Sequence, residues 1–139
     1  MQLAVTAWDL SNTDALKSIP DQAVIAEDMG FSGFWLPENH FTGTASLASP
    51  LLLLAAAAAK TKTIRLGTTS YLLPIRNPVE AAEDVATLDC ISNGRLILGA
   101  RPRHCEAQQP SLHTPRRVSA CQMVLAMIMM SSVSEQRLM

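Results

Sequence analysis

Residues 1 to 100 predict an α/β fold with parallel strands, on three observations. Short apolar runs carrying β-branched and aromatic residues alternate with stretches of helix formers, and the helical stretches bring their own start or stop signals. The connections are too short for anything but right-handed crossovers, which place successive strands parallel and in sequence order. All six Gly and all six aromatic residues fall before Arg101. Such a fold needs Gly for its turns and aromatics for its core, so the pattern stops there.

Leu3 to Trp8 is a short apolar run suited to a first strand. A first helix is expected over Asp21 to Met29, with Pro20 in its first turn and Gly30 as its C-terminal cap. Phe34-Trp35-Leu36 reads as a second strand ended by Pro37. Ser49-Pro50 supplies an N-cap and a first-position proline for a second helix, Leu51 to Lys60, which has no polar face before Lys60 and must be covered on most sides. Thr63 to Thr69 reads as a third strand. Asn77-Pro78-Val79-Glu80 starts a third helix, its side-chain oxygens placed to accept from free amides. That helix is expected to run to about Asn93 with Gly94 as its cap, and Arg95 to Gly99 is the fourth strand.

At 139 residues and 48% hydrophobic content the chain is sized for one soluble domain. Six Lys/Arg against ten Asp/Glu in residues 1 to 100 exclude a nucleic-acid footprint on the body. The longest apolar run, Leu51 to Ala59, is about half of what spans a bilayer. Cys90, Cys105 and Cys121 have no metal-ligand spacing, and their odd number suits reduced thiols, so a cytoplasmic protein without a metal is expected.

Six stretches resemble one family in unbroken register: Ala26 to Phe31, Phe34 to Phe41, Ile64 to Thr68, Leu73 to Pro78, Glu83 to Asp89 and Ser92 to Arg95. The family is that of the bacterial luciferase-like monooxygenases. The resemblance implies the N-terminal half, four strands and three helices, of a (β/α)₈ barrel. It implies a cofactor at the C-terminal strand ends, reduced FMN with a deazaflavin as the alternative, used with O₂ to oxygenate a small organic substrate. A flavin reductase and a homodimer through the second and third helices are the implied partners. The rival reading is a non-catalytic flavin-binding or dimerising half barrel.

Family members carry Glu-His-His-Phe where this sequence reads Glu38-Asn39-His40-Phe41. The first of those His is catalytic in luciferase, so the resemblance assigns Asn39 and His40 to catalysis, with His40 alone able to exchange a proton. Thr68, Thr69 and Ser70 match the strand end that runs under the flavin ring, where the family has a non-prolyl cis bond at the position of Thr69-Ser70. Arg76 is a candidate ligand cation or a solvated side chain. Glu83, Asp84, Asp89 and Arg95 look like a charge cluster that fixes the third helix against its neighbours.

Arg101-Pro102-Arg103 stands where the family has Gly-Arg-Gly. Codons CGG CCG CGG followed by C give Gly-Arg-Gly when read one base later, so residues 101 to 139 are expected to be an out-of-frame tail, irregular or weakly helical over Val118 to Met130, on a chain without activity of its own.

Overall fold

The computed structural model describes residues 2–10, 14–40 and 46–101. The tail from residue 102 on, with its expected helix, lies outside the described residues. The elements in chain order are β1 (Ala4–Thr6), α1 (Ala15–Asp28), β2 (Gly33–Leu36), α2 (Pro50–Lys60), β3 (Arg65–Thr68), β4 (Tyr71–Leu72), a 3₁₀ turn (Leu73–Ile75), α3 (Pro78–Ile91), β5 (Leu96–Ile97) and β6 (Ala100–Arg101). Four strands form one parallel sheet in the order β1-β2-β3-β5, with Phe34 opposite Leu66, Trp35 opposite Gly67, and Leu66 opposite Leu96. The expected fourth strand, Arg95 to Gly99, is shorter, β5 alone. Just beyond it β6 leaves the main sheet and pairs in parallel with β4.

Side chains alternate across a strand, and the burial follows. Phe34 and Leu36 of β2 and Leu66 of β3 are fully buried together with Ile19, Ala23 and Ala26 of α1, Leu54 and Ala57 of α2, and Val85 and Leu88 of α3. Trp35 points to the other face, away from this core, and its indole lies where a side chain on Gly67 would otherwise stand. Trp8 meets Phe34 edge to face at 6.5 Å.

Helix α1 begins six residues before the expected Asp21. Ala15, Ile19, Ala23 and Ala26 form one buried stripe at helical spacing, and burying that stripe outweighs the loss of one backbone hydrogen bond at Pro20, which sits inside the helix rather than in its first turn. Its C-terminus is as expected: Gly30 (φ 81°) follows the last turn, and the amides of Gly30 and Phe31 close on the carbonyls of Glu27 and Ala26. In α3 the helix ends at Ile91 and the left-handed cap is Asn93 (φ 56°), one residue earlier than Gly94 (φ 75°). Asn77 Oδ1 accepts from Val79 N as expected, while Ser49 stands at the N-cap of α2 without a side-chain bond.

Helix α2 buries Pro50, Leu51, Leu54, Ala57 and Ala58 and leaves Leu52 74% exposed. Two charged side chains fasten the segment between α2 and β3. Glu27 accepts from the amides of Lys62, Thr63 and Ile64 and from the Thr63 hydroxyl. Arg95 donates all five of its N–H groups, to the carbonyls of Ala58, Thr61, Ile64 and Ser92 and to Thr61 Oγ1. Arg95 thus ties the end of α3 to neighbouring elements, as the sequence suggests, but through backbone carbonyls at the C-terminus of α2, where a helix leaves acceptors unfilled. Among the described residues no helix is long and apolar enough to cross a membrane.

Candidate active site

The C-terminal ends of β2 and β3 are neighbours because the two strands pair in register from Gly33–Arg65 to Leu36–Thr68, and Thr69 N–H extends the pairing to Leu36 O at 2.8 Å. Glu38, Asn39 and His40 leave one strand and Thr69 and Ser70 the other, so the residues singled out from sequence gather at one end of the sheet. In parallel sheets of this kind that end carries the chemistry.

Glu38 organises the end of β2. Its carboxylate, with no solvent exposure, lies 2.7 Å from His40 Nε2, accepts from Arg76 Nη2 at 2.6 Å, and accepts from Leu72 N at 2.8 Å. One side chain thereby joins β2, β4 and the residue after the 3₁₀ turn. Arg76 lies over the ring of the buried Tyr71, 4.1 Å from its centroid. It is therefore neither a solvated arginine nor an uncommitted ligand cation, although its Nε is buried without a hydrogen-bond partner. Burial pushes the Tyr71 phenol up to about 12, against the pull of Arg76 and with smaller upward contributions from Asp84 and Glu38.

His40 is largely buried, its side chain 15% exposed. Asn39 is half-buried, and its N–H donates to Leu47 O at 2.9 Å, which ties the exit of β2 to the segment before α2.

At the end of β3, Thr68 is fully buried and its hydroxyl is committed to Gly99: it lies 3.1 Å from Gly99 O and accepts from Gly99 N at 3.1 Å. The Thr69-Ser70 peptide bond is cis. Thr69 is exposed and Ser70 half-buried, in contrast to the fully buried Thr68. Tyr71 N–H then donates to Gly99 O at 2.6 Å, locking the strand exit to the chain that enters β6.

The sequence left Glu38 and Tyr71 without roles. The available signal was a carboxylate directly after the strand-ending Pro37, two residues before a His, in a body with only six Lys/Arg to pair with. Glu83, Asp84 and Asp89 lie on α3, and of the three Asp84 acts on Tyr71 at this end of the sheet; no cluster of metal-ligating side chains is present among the described residues.

The sequence model of the family described as luciferase-like monooxygenase matches residues 2–101. Limonene 1,2-monooxygenase of Rhodococcus erythropolis is 38% identical over 98 residues, which are 68% of this chain and 25% of that protein. In three dimensions the chain is similar to the oxygenating constituent of 3,6-diketocamphane monooxygenase from Pseudomonas putida, a type II Baeyer-Villiger monooxygenase in complex with FMN (TM-score 0.73, 21% identity, 96% of this chain and 38% of that one). It is also similar to the coenzyme F420 dependent tetrahydromethanopterin reductase of Methanopyrus kandleri (TM-score 0.63, 27% identity, 83% of this chain and 30% of that one). The chain thus spans about a quarter of the length of this curated relative and under two fifths of these solved structures. Its parallel sheet corresponds to part of a barrel.

Proposed function

The chain belongs to the luciferase-like monooxygenase family, and from that premise we propose that residues 1 to 100 are the N-terminal part of a cytoplasmic flavin-dependent monooxygenase that uses reduced FMN and O₂ to oxygenate a small organic substrate. One observation carries the reading: Asn39 and His40 on one side and Thr69 and Ser70 on the other converge at adjoining C-terminal strand ends. The residues present fit a share of a flavin site. Trp35 gives the inner face of the sheet a flat apolar wall, Thr69 and Ser70 add hydroxyls, and Arg76 Nε is a buried donor with no partner.

Reduced flavin would supply the activation of O₂, chemistry that no side chain provides. The chain's own share is to orient and to handle protons. The backbone of Thr68 to Ser70 would run beneath the ring, Asn39 would hold a substrate or cofactor oxygen by hydrogen bonding, and His40 would exchange a proton with the reacting group. FMN is the cofactor proposed and coenzyme F420 the alternative, since the structures similar to this chain include an FMN complex and an F420-dependent reductase. A flavin reductase would deliver the reduced cofactor as a transient partner.

The second reading, a flavin-binding or dimerising half barrel without turnover, draws on the surface of α2 and α3, where Leu52, Val79 and Ile91 are exposed apolar residues. That surface is also the one proposed for a homodimer of the enzyme. Leu52→Asp should dissociate such a dimer, and unchanged sedimentation would count against it. Residues 101 to 139 are proposed to lie out of frame, which the nucleotide sequence across codon 100 tests directly.

The phosphate contacts would come from the part of the relatives that residues 2–101 do not match. Hydrogen bonds to a charged group contribute about 1.5–3 kcal/mol each, so losing two weakens binding roughly a thousandfold. Flavin fluorescence should therefore show no saturable FMN binding by residues 1 to 139 at low micromolar FMN. A chimera in which residues 1 to 100 replace the matching segment of limonene 1,2-monooxygenase should bind FMN and oxygenate substrate when given photoreduced cofactor. Tight FMN binding by the isolated chain would favour the second reading; a folded chimera that binds no flavin would overturn the first.

A further inference from the structure

We propose that Glu38 is a positioning residue that sets the tautomer of His40 by placing the imidazole proton on Nε2. The inference follows from what surrounds one carboxylate. Arg76 Nη2 and Leu72 N are donors only, at 2.6 and 2.8 Å, and they occupy Oε1 and Oε2 respectively. An ionised carboxylate held between a guanidinium and an amide has no proton to give. His40 Nε2, 2.7 Å from the same Oε1 that Arg76 uses, must then be the donor of that contact. A ring with its proton on Nε2 has its lone pair on Nδ1.

The carboxylate is itself fixed. It has no solvent exposure, its three contacts come from three separate stretches of chain, and Arg76 is held in turn against the Tyr71 ring at 4.1 Å. A carboxylate that orients an imidazole by its far nitrogen is a recurring way to hold a His for proton transfer. That His40 serves catalysis rests on the flavin reading above. The tautomer does not, so the two can fail separately.

The test is ¹H–¹⁵N spectroscopy of the imidazole groups of the full chain labelled in His, of which there are three: His40, His104 and His113. One resonance, removed by His40→Gln and so assigned, should show a slowly exchanging proton far downfield on Nε2 and no proton on Nδ1. Glu38→Ala should abolish that downfield proton. Should this variant fail to fold, Glu38→Gln, of the same shape but without the charge, should move that proton upfield. A wild-type spectrum without the downfield proton, a proton on Nδ1 instead, its survival in a folded Glu38→Ala variant, or an unmoved proton in a folded Glu38→Gln variant would each overturn the proposal. In the chimera with limonene 1,2-monooxygenase, Glu38→Ala should lower kcat at unchanged flavin affinity; lost flavin affinity with unchanged kcat at saturating cofactor would make Glu38 a binding residue instead.

Discussion

Thr68 and Gly99 hold each other at the exit of the third main-sheet strand: Gly99 N donates to Thr68 Oγ1, Thr68 Oγ1 lies 3.1 Å from Gly99 O, and a Cβ on Gly99 would overlap the Thr68 carbonyl oxygen. The obstacle is backbone, which cannot swing aside as a side-chain tip can. Gly99→Ala should therefore destabilise the chain by about 2 kcal/mol or more through overpacking. Thr68→Val, which keeps the shape and loses the hydroxyl, should cost about 1 kcal/mol. Urea unfolding of both variants checks the order. An alanine as stable as wild type would mean that the approach of these strand ends is looser than described.

Arg95 offers a second backbone-directed test. Five donors meet five acceptors, three of them carbonyls from Ala58, Thr61 and Ile64 that span the end of α2 and the start of β3. Lysine keeps the charge but has three donors at one point, and cannot reach acceptors spread across a planar fork. Arg95→Lys should cost about 2 kcal/mol, with the carbonyls it abandons left buried and unpaired. Faster amide exchange confined to residues 61 to 66 would locate the effect; exchange rates unchanged there would contradict it.

The order of strands and helices was legible because each element is specified locally, by alternation, by Pro50 and Pro78 at helix starts, and by Gly30 past a helix end. Pro20 misplaced the start of α1 for the same reason. A local rule reads proline as a beginning, while the stripe Ala15, Ile19, Ala23 and Ala26 is stabilised by a sheet and helix far along the chain. The candidate site divides in the same way. Asn39, His40, Thr69 and Ser70 are placed by the strand they follow, so a resemblance in register finds them. Glu38 meets Arg76 across 38 residues, and no spacing rule connects them. Thr68, expected at the cofactor, has its hydroxyl bonded to Gly99, a pairing visible only once β3 and the chain beyond β5 lie side by side.

Glu27 predicts an acid-dependent loss of stability. Desolvation pushes its carboxyl up, but the amides of Ile64, Thr63 and Lys62 and the Thr63 hydroxyl outweigh it together and hold the group down at about 2, from an ordinary value of 4.5. A carboxyl lowered on folding adds stability that is complete above pH 4.5 and fades as pH falls toward 2. Because the group is only half-buried, solvent screening reduces the contribution to about 1 kcal/mol. Glu27→Gln should lower the melting temperature at pH 7, and the gap from wild type should close as the pH is brought below 3. A gap that stays constant through this range would assign the effect to shape rather than charge.

Tyr71 gives the most direct reading of the Glu38–Arg76 pair, because it is the chain's one tyrosine and phenolate absorbance reports it alone. Burial raises its phenol to about 12 while the guanidinium above the ring pulls it down. In wild type the phenolate band should stay absent at pH 10, the ordinary value, and emerge near 12. A group raised on folding contributes stability that is full below its unfolded value and is lost as pH climbs through the folded one, so the chain should weaken between pH 10 and 12. Arg76→Met removes the one cation among the described residues that acts on the phenol and leaves Glu38 buried without its charge partner. Ionisation should move later still, and stability at pH 7 should fall by about 3 kcal/mol. Arg76→Lys, which restores a positive charge without the planar stack, should recover part of the stability and most of the titration. Phenolate appearing near pH 10 in the folded wild type, or earlier in Arg76→Met than in wild type, would contradict the arrangement.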